Sequence, residues 1–262
     1  VMLWIAPLVY LLNQGKNQGR GSPLILSLTG VVIAAFVAFI YSQVRVRHPI
    51  VSLAIFRIRL FSLSVLIAIL TFIALAGSIL LTPFLLQNLL GLTVAESGFM
   101  MSLIPVGSVS LAMVGGALAD RYGPRIPATI GLLMMATAMA SFAFIEPDTP
   151  ITTIIPRLLL LGFGQGLFMS PNSSSIMGSL PRSKLGLAGG FLAWSRTFAF
   201  ASGQAIWGAV FATVVLFAAG AGTVLNAPPA ALQSGFAAGY YGCAGALLVA
   251  AVLASARGRV TA

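Results

Sequence analysis

Acidic residues are nearly absent from this chain: four Asp and Glu stand against fourteen Lys and Arg, a formal net charge of +10. Such a balance would suit a nucleic-acid partner. The basic residues, however, are dealt out between runs of about 20 apolar residues instead of being gathered on one stretch, which argues against that class. Charge of either sign is scarce, 7% of residues against 59% hydrophobic, too little polar surface to cover a globule in water. Lipid is the solvent this composition demands. The single cysteine, Cys243, lies in an apolar run; it excludes a disulfide frame or a Cys-rich metal site and reads as a small packing residue. The single histidine, His48, precedes Pro49 between apolar runs and reads as a solvated loop residue in preference to a proton sensor. No Asp, Glu or His falls well inside an apolar run, so no side chain here is placed to bind and release a proton within the membrane. A His, Cys and acid constellation for metal or nucleophilic chemistry is missing, as is a phosphate loop; the expectation is a non-enzyme without cofactor or metal.

What is present is a series of continuously apolar runs. They predict a truncated helix at 1–12 and spans near 24–43, 61–87, 98–119, 126–145, 151–177, 188–218 and 236–256. Barrel strands would alternate over about 10 residues, so helices packed as one all-α integral membrane bundle are expected. Arg45, Arg47, Arg57, Arg59, Arg121, Arg125, Arg182, Lys184, Arg257 and Arg259 fall on alternate connections, which orients those connections toward the cytoplasm. Segment 44–60, with arginines flanking the apolar Ile50–Phe56 stretch, reads as a cytoplasmic interfacial linker, and 257–262 as a cytoplasmic tail. The chain opens on Val1 inside an apolar stretch with no signal-peptide pattern, and the expectation is a fragment.

Between the spans ending at 119 and beginning at 126 stand Gly115, Gly116, Ala117, Leu118, Ala119, Asp120, Arg121, Tyr122, Gly123, Pro124 and Arg125. Ser108, Ala112 and Gly116 recur every four positions and offer a face for close helix approach. Gly123 permits a left-handed turn, and Pro124 or Pro127 can start the next helix. Asp120 is expected near that helix's positive end, beside Arg121 or Arg125. This stretch resembles the cytoplasmic-loop signature of the major facilitator superfamily, Gly-x-Leu-Ala-Asp-Arg-x-Gly-x-Arg, through Gly116, Leu118, Ala119, Asp120, Arg121, Gly123 and Arg125; Pro124 departs from it, since a basic residue is common there. The likeness covers nearly the whole chain and is greatest to the fourteen-helix drug:proton antiporters of the EmrB/QacA type. His48, Pro49, Leu53, Phe56, Arg57 and Phe61 resemble the linker into that family's C-terminal half. Leu85, Gln87, Gly91, Ala95 and Gly98 resemble its next external loop. Gly162, Gly164, Gly166 and Pro171, then Gly186, Leu187, Ala188, Gly190, Arg196, Gly203 and Gly208, resemble its later helices. The resemblance implies a major facilitator-like C-terminal six-helix half at 61–256, with 1–43 the remnant of an inserted central helix pair and the N-terminal six helices missing. Arg182 and Lys184 depart from it in a loop where acidic residues are usual.

Arg196 is the charge that lies well inside an apolar run, about 12 Å into a helix beginning near 188. A charge there costs about 3 kcal/mol on insertion scales. It either faces a cavity or the opposite half, with Phe200, Gln204 and Gly208 following on its face, or snorkels to the headgroups. Gly162, Gly164, Gly166, Ser170, Pro171 and Asn172 describe a small, polar, proline-broken helix. Gln165 and Asn172 are candidate substrate contacts, and tight glycine packing accounts for the same stretch equally well. Arg157 reads as an interfacial anchor, and the methionines and tryptophans as packing or lipid contacts. Taken with the resemblance, these residues imply the C-terminal portion of a secondary active exporter in a bacterial cytoplasmic membrane. It would move small, often amphipathic or cationic molecules in exchange for protons carried by the missing half. Rival readings are a seven-helix scaffold or signalling protein and a nonfunctional remnant of a split gene.

Overall fold

The computed structural model describes residues 53–220 and 227–257. The helices expected at 1–12 and 24–43, most of the 44–60 linker and the tail beyond Arg257 lie outside the described residues. The chain divides into two units, 1–57 and 58–262, and of the first only a short 3₁₀ turn, Leu53–Arg57, is described.

The described residues of the second unit form helices joined by short connections, with α1 at Arg59–Phe84, α2 at Val94–Met101, α3 at Leu103–Tyr122, α4 at Arg125–Phe142, α5 at Ile154–Gly178, α6 at Leu185–Ala219 and α7 at Pro229–Ala256. Six segments among the described residues are long and apolar enough to cross a membrane; α2 and α3 together form one of them. They correspond to the six spans expected at 61–256. Most begin earlier than the apolar runs suggested, and for two of them the local reason is plain. At Thr93 a capping box forms, the Thr93 hydroxyl accepting from Glu96 N at 3.3 Å while a Glu96 carboxylate oxygen accepts from Thr93 N at 2.9 Å. At the start of α7, Pro229 sets the first helical φ and needs no hydrogen-bond partner for its nitrogen.

Two prolines sit inside helices with different outcomes. After Pro83 in α1 the chain widens into a π-helical turn, Leu85–Leu89. Pro171, expected to break its helix, does not: α5 runs from Ile154 through Gly178. A proline forfeits one backbone bond, and the packing of α5 on both flanks outweighs that loss.

That packing is made by glycines. On one flank of α5, a Cβ on Gly162 would overlap the Ile104 carbonyl of α3, and a Cβ on Gly166 would overlap that of Ser108. On the other flank, a Cβ on Gly164 would lie 2.6 Å from Gly131 O of α4, and one on Gly131 2.5 Å from Gly164 O. Backbone therefore meets backbone on both sides. Ser108 and Ala112, expected on a close-approach face, are on it; the buried Gly107 and Gly115 complete it, while Gly116 faces Ser170 Oγ at an ordinary 3.5 Å.

Helices α1, α6 and α7 are joined instead through side chains. Trp207 Nε1 donates to Ile73 O at 2.9 Å beside Gly203, whose added Cβ would come within 2.6 Å of the same carbonyl. The Tyr240 hydroxyl and Thr82 Oγ1 are hydrogen-bonded at 3.1 Å, Thr82 meets Ser78 at 3.2 Å, and the Tyr240 ring stacks on Phe142 of α4 at 5.2 Å. The contact of α4 with α7 joins the two groups along one side, while α1 and α5 touch only lightly on the other. Helices α3 and α6 form the edges. Over an apolar 18-residue stretch of each, the α2–α3 span has 17% of its residues buried and the α6 span 22%, against 67% for α1, so each edge helix leaves much of its surface uncovered within the unit.

Candidate functional site

Arg196 projects from α6 with its guanidinium 6.0 Å from the Phe72 ring centroid, at the outer range of a cation–π contact. Phe72 is thirteen residues into α1, about 20 Å along its axis, and Arg196 eleven into α6, about 17 Å, so the pair lies near the middle of a hydrocarbon layer about 30 Å thick. The guanidinium rests at the depth of Phe72 and does not extend to the arginine-rich helix ends. It is nonetheless exposed. Phe200, one turn on, is half-buried with its ring 5.7 Å from Phe72, and Gln204, a further turn on, is exposed. Three of the expected cavity residues thus share one uncovered strip of α6. Gly203 and Gly208 are buried in helix contacts.

Asn172 and Gln165 do not join that strip. Asn172 is 2% exposed, its Nδ2 donating to Ser64 O at 3.4 Å and its Oδ1 accepting from Arg257 Nη1 at 3.2 Å; the same Nη1 donates to Ser64 Oγ at 3.0 Å. Gln165 is half-buried. Arg257, the first residue of the expected cytoplasmic tail, is 1% exposed, and its Nη2 is buried without a hydrogen-bond partner. Burial pushes its pKa down to about 10, still far above neutrality, so the guanidinium stays charged. All four carboxylates of the sequence, Glu96, Asp120, Glu146 and Asp148, belong to the described residues, and none pairs with it. Sequence reasoning missed this clamp across α1, α5 and α7. The signal available was a lone cation at the end of an apolar run, which usually marks a solvated end.

The turn between α3 and α4 has Gly123 at φ 81° and ψ 157°, a region open essentially to glycine. Asp120, Arg121 and Arg125 are all exposed. Asp120 makes no ion pair with either arginine among the described residues, contrary to the expected neighbourhood; the Arg121 guanidinium lies over the Tyr122 ring at 5.4 Å instead. The motif's charges are left available at the surface of the turn.

These features are those of a bundle of membrane-length helices with a cation on an uncovered strip of α6 and a charged turn at one edge. The sequence matches the family model of the Major Facilitator Superfamily over residues 1–204 and again over 67–261, and the chain belongs to that family. It is 29% identical over 211 residues to the riboflavin transporter RibZ of Clostridioides difficile, an alignment covering 80% of this chain and 46% of that protein. It is 35% identical over 178 residues to the uncharacterized MFS-type transporter YhcA of Bacillus subtilis, covering 67% and 33%. It is 29% identical over 216 residues to a tetracycline resistance determinant of Streptomyces rimosus, covering 82% and 62%. The chain spans less than half the length of the first two.

Proposed function

We propose that these residues are the C-terminal portion of a proton-coupled exporter of the fourteen-helix drug-antiporter kind, working by alternating access in a bacterial cytoplasmic membrane. The observation that carries the reading is Arg196, a charge exposed at mid-depth, which is tolerable only against protein or water and so calls for a second half and an aqueous cavity beside α6. The sparsely buried α3 and α6 edges are where that half would close. Relatives named for riboflavin transport, multidrug transport and tetracycline resistance support a small drug-like cargo. The half described contains no intramembrane acid, so the coupling protons would move through the other half.

The reading is tested with proteoliposomes. The carrier containing both halves should show saturable, proton-driven dye efflux, and vesicles holding these 262 residues alone should show none, because a rocking bundle needs its counterpart. Efflux by the 262 residues alone would refute the half-carrier reading.

Asp120→Asn should reduce turnover on the order of tenfold, the weight of one charge-assisted hydrogen bond from the turn to the opposite half, with expression little changed. Equal transport per molecule in vesicles would remove the turn from the gating machinery.

A further inference from the structure

We infer that the α6 strip around Arg196 takes planar aromatic anions, with the guanidinium as the partner of the cargo's acidic group and Phe200, backed from beneath by the buried Phe72, as its stacking floor. The inference rests on the carrier reading and adds the charge sign and shape of the cargo.

Charge is the first ground. Arg196 is the charged side chain found exposed at mid-depth among the described residues. The four carboxylates lie elsewhere: Glu96 in the first turn of α2, Asp120 near the end of α3, Glu146 and Asp148 in the connection between α4 and α5. Nothing on this wall neutralises the guanidinium, and in a water-poor cavity an uncompensated cation raises the affinity for anions and repels cations. The planar fork of arginine also matches a carboxylate, phosphate or phenolate geometrically.

Shape is the second. The guanidinium, the Phe72 ring and the Phe200 ring form one cluster, with Phe72 at 6.0 Å from the first and 5.7 Å from the second. A flat ring system laid on the half-buried Phe200 keeps an acidic edge within reach of Arg196. Gln204 lies two turns from Arg196, about 12 Å along the helix, where its amide can hold a carbonyl at the far edge of a fused multi-ring molecule.

Two xanthene dyes of nearly equal shape and opposite charge separate the alternatives: fluorescein and rhodamine 123, titrated by fluorescence anisotropy onto the carrier in lipid nanodiscs. Wild type should bind fluorescein saturably and more tightly than rhodamine 123. Arg196→Gln should weaken fluorescein about 10- to 100-fold, the weight of a charge-assisted hydrogen bond, and leave rhodamine 123 unchanged or improved. Arg196→Lys should keep the anion preference at reduced affinity. A wild type without saturable fluorescein binding, or one that prefers rhodamine 123, overturns the inference. An equal loss of both dyes in Arg196→Gln does so too, since the guanidinium would then be paired with protein. Failure of proton-driven efflux with Arg196-dependent fluorescein binding intact would sink the exporter reading and leave this one standing.

Discussion

Gly164→Leu and Gly162→Leu are each expected to leave almost no monodisperse protein after detergent extraction. Helix propensity alone argues the other way, because leucine favours a helix over glycine by nearly 1 kcal/mol. The packing decides. At Gly164 the first added carbon already comes within 2.6 Å of Gly131 O and 2.7 Å of the Met135 side chain, and at Gly162 it overlaps the Ile104 carbonyl. A side chain can rotate away, but a helical carbonyl moves only with its helix, so each change costs about 3 kcal/mol or more by overpacking. Gly178→Ala and Gly186→Ala serve as controls, since a Cβ at either meets nothing within 4 Å. Their apparent Tm should equal or exceed that of wild type. If Gly162→Leu and Gly164→Leu gave as much folded protein as these controls, the close α3–α5–α4 contact would be wrong.

Asn172→Leu is expected to destabilise the protein by about 3–5 kcal/mol, more than loss of the arginine it holds, because it takes an acceptor from a guanidinium that stays charged and buried. Arg257→Met removes the charge along with its bonds and leaves two neutral groups, the Asn172 amide and the Ser64 hydroxyl, each short of one donor, a loss of about 1–3 kcal/mol. The double variant Asn172→Leu, Arg257→Met should recover most of the deficit of Asn172→Leu, since two apolar side chains of similar volume leave no charge buried and only the Ser64 hydroxyl short of a donor. Thermal unfolding of all three in one detergent gives the order. An Arg257→Met protein less stable than Asn172→Leu would show that the side chain's bulk, and not its charge, matters at that position.

The spans were legible because a hydrocarbon layer imposes a length and an apolarity that do not depend on which helix packs on which; hence Arg59–Leu89 and Arg125–Phe142 answer closely to the runs at 61–87 and 126–145. Arg196 was legible for the same reason, as a charge where lipid tolerates none. The glycine spacing at 162, 164 and 166 also carried usable information, although it did not say that one face meets α3 and the other α4. The role of Asn172 was not legible. An amide in a membrane helix is equally at home on a wet wall or in a buried hydrogen bond, and its partner Arg257 lies 85 residues away, beyond any local pattern. The Asp120 turn showed the same limit: adjacency in the chain placed Asp120 beside Arg121 or Arg125, but did not show that Arg121 turns its guanidinium onto Tyr122.

The contrast between carbonyl-to-glycine contacts around α5 and ring-and-hydroxyl contacts around α1 has a mechanical corollary. Helices α3, α4 and α5 interlock through main-chain atoms that have no rotamers to exchange, so this trio behaves as a stiff plate. Helices α1, α6 and α7 share one such main-chain contact, Gly203 against the Ile73 carbonyl, and otherwise meet through Trp207, Tyr240 and Thr82, groups that can re-seat by turning about single bonds. Any flexing of the six-helix unit therefore concentrates where the plates meet lightly, at the α1–α5 seam, and there the Arg257 guanidinium acts as a dowel through both.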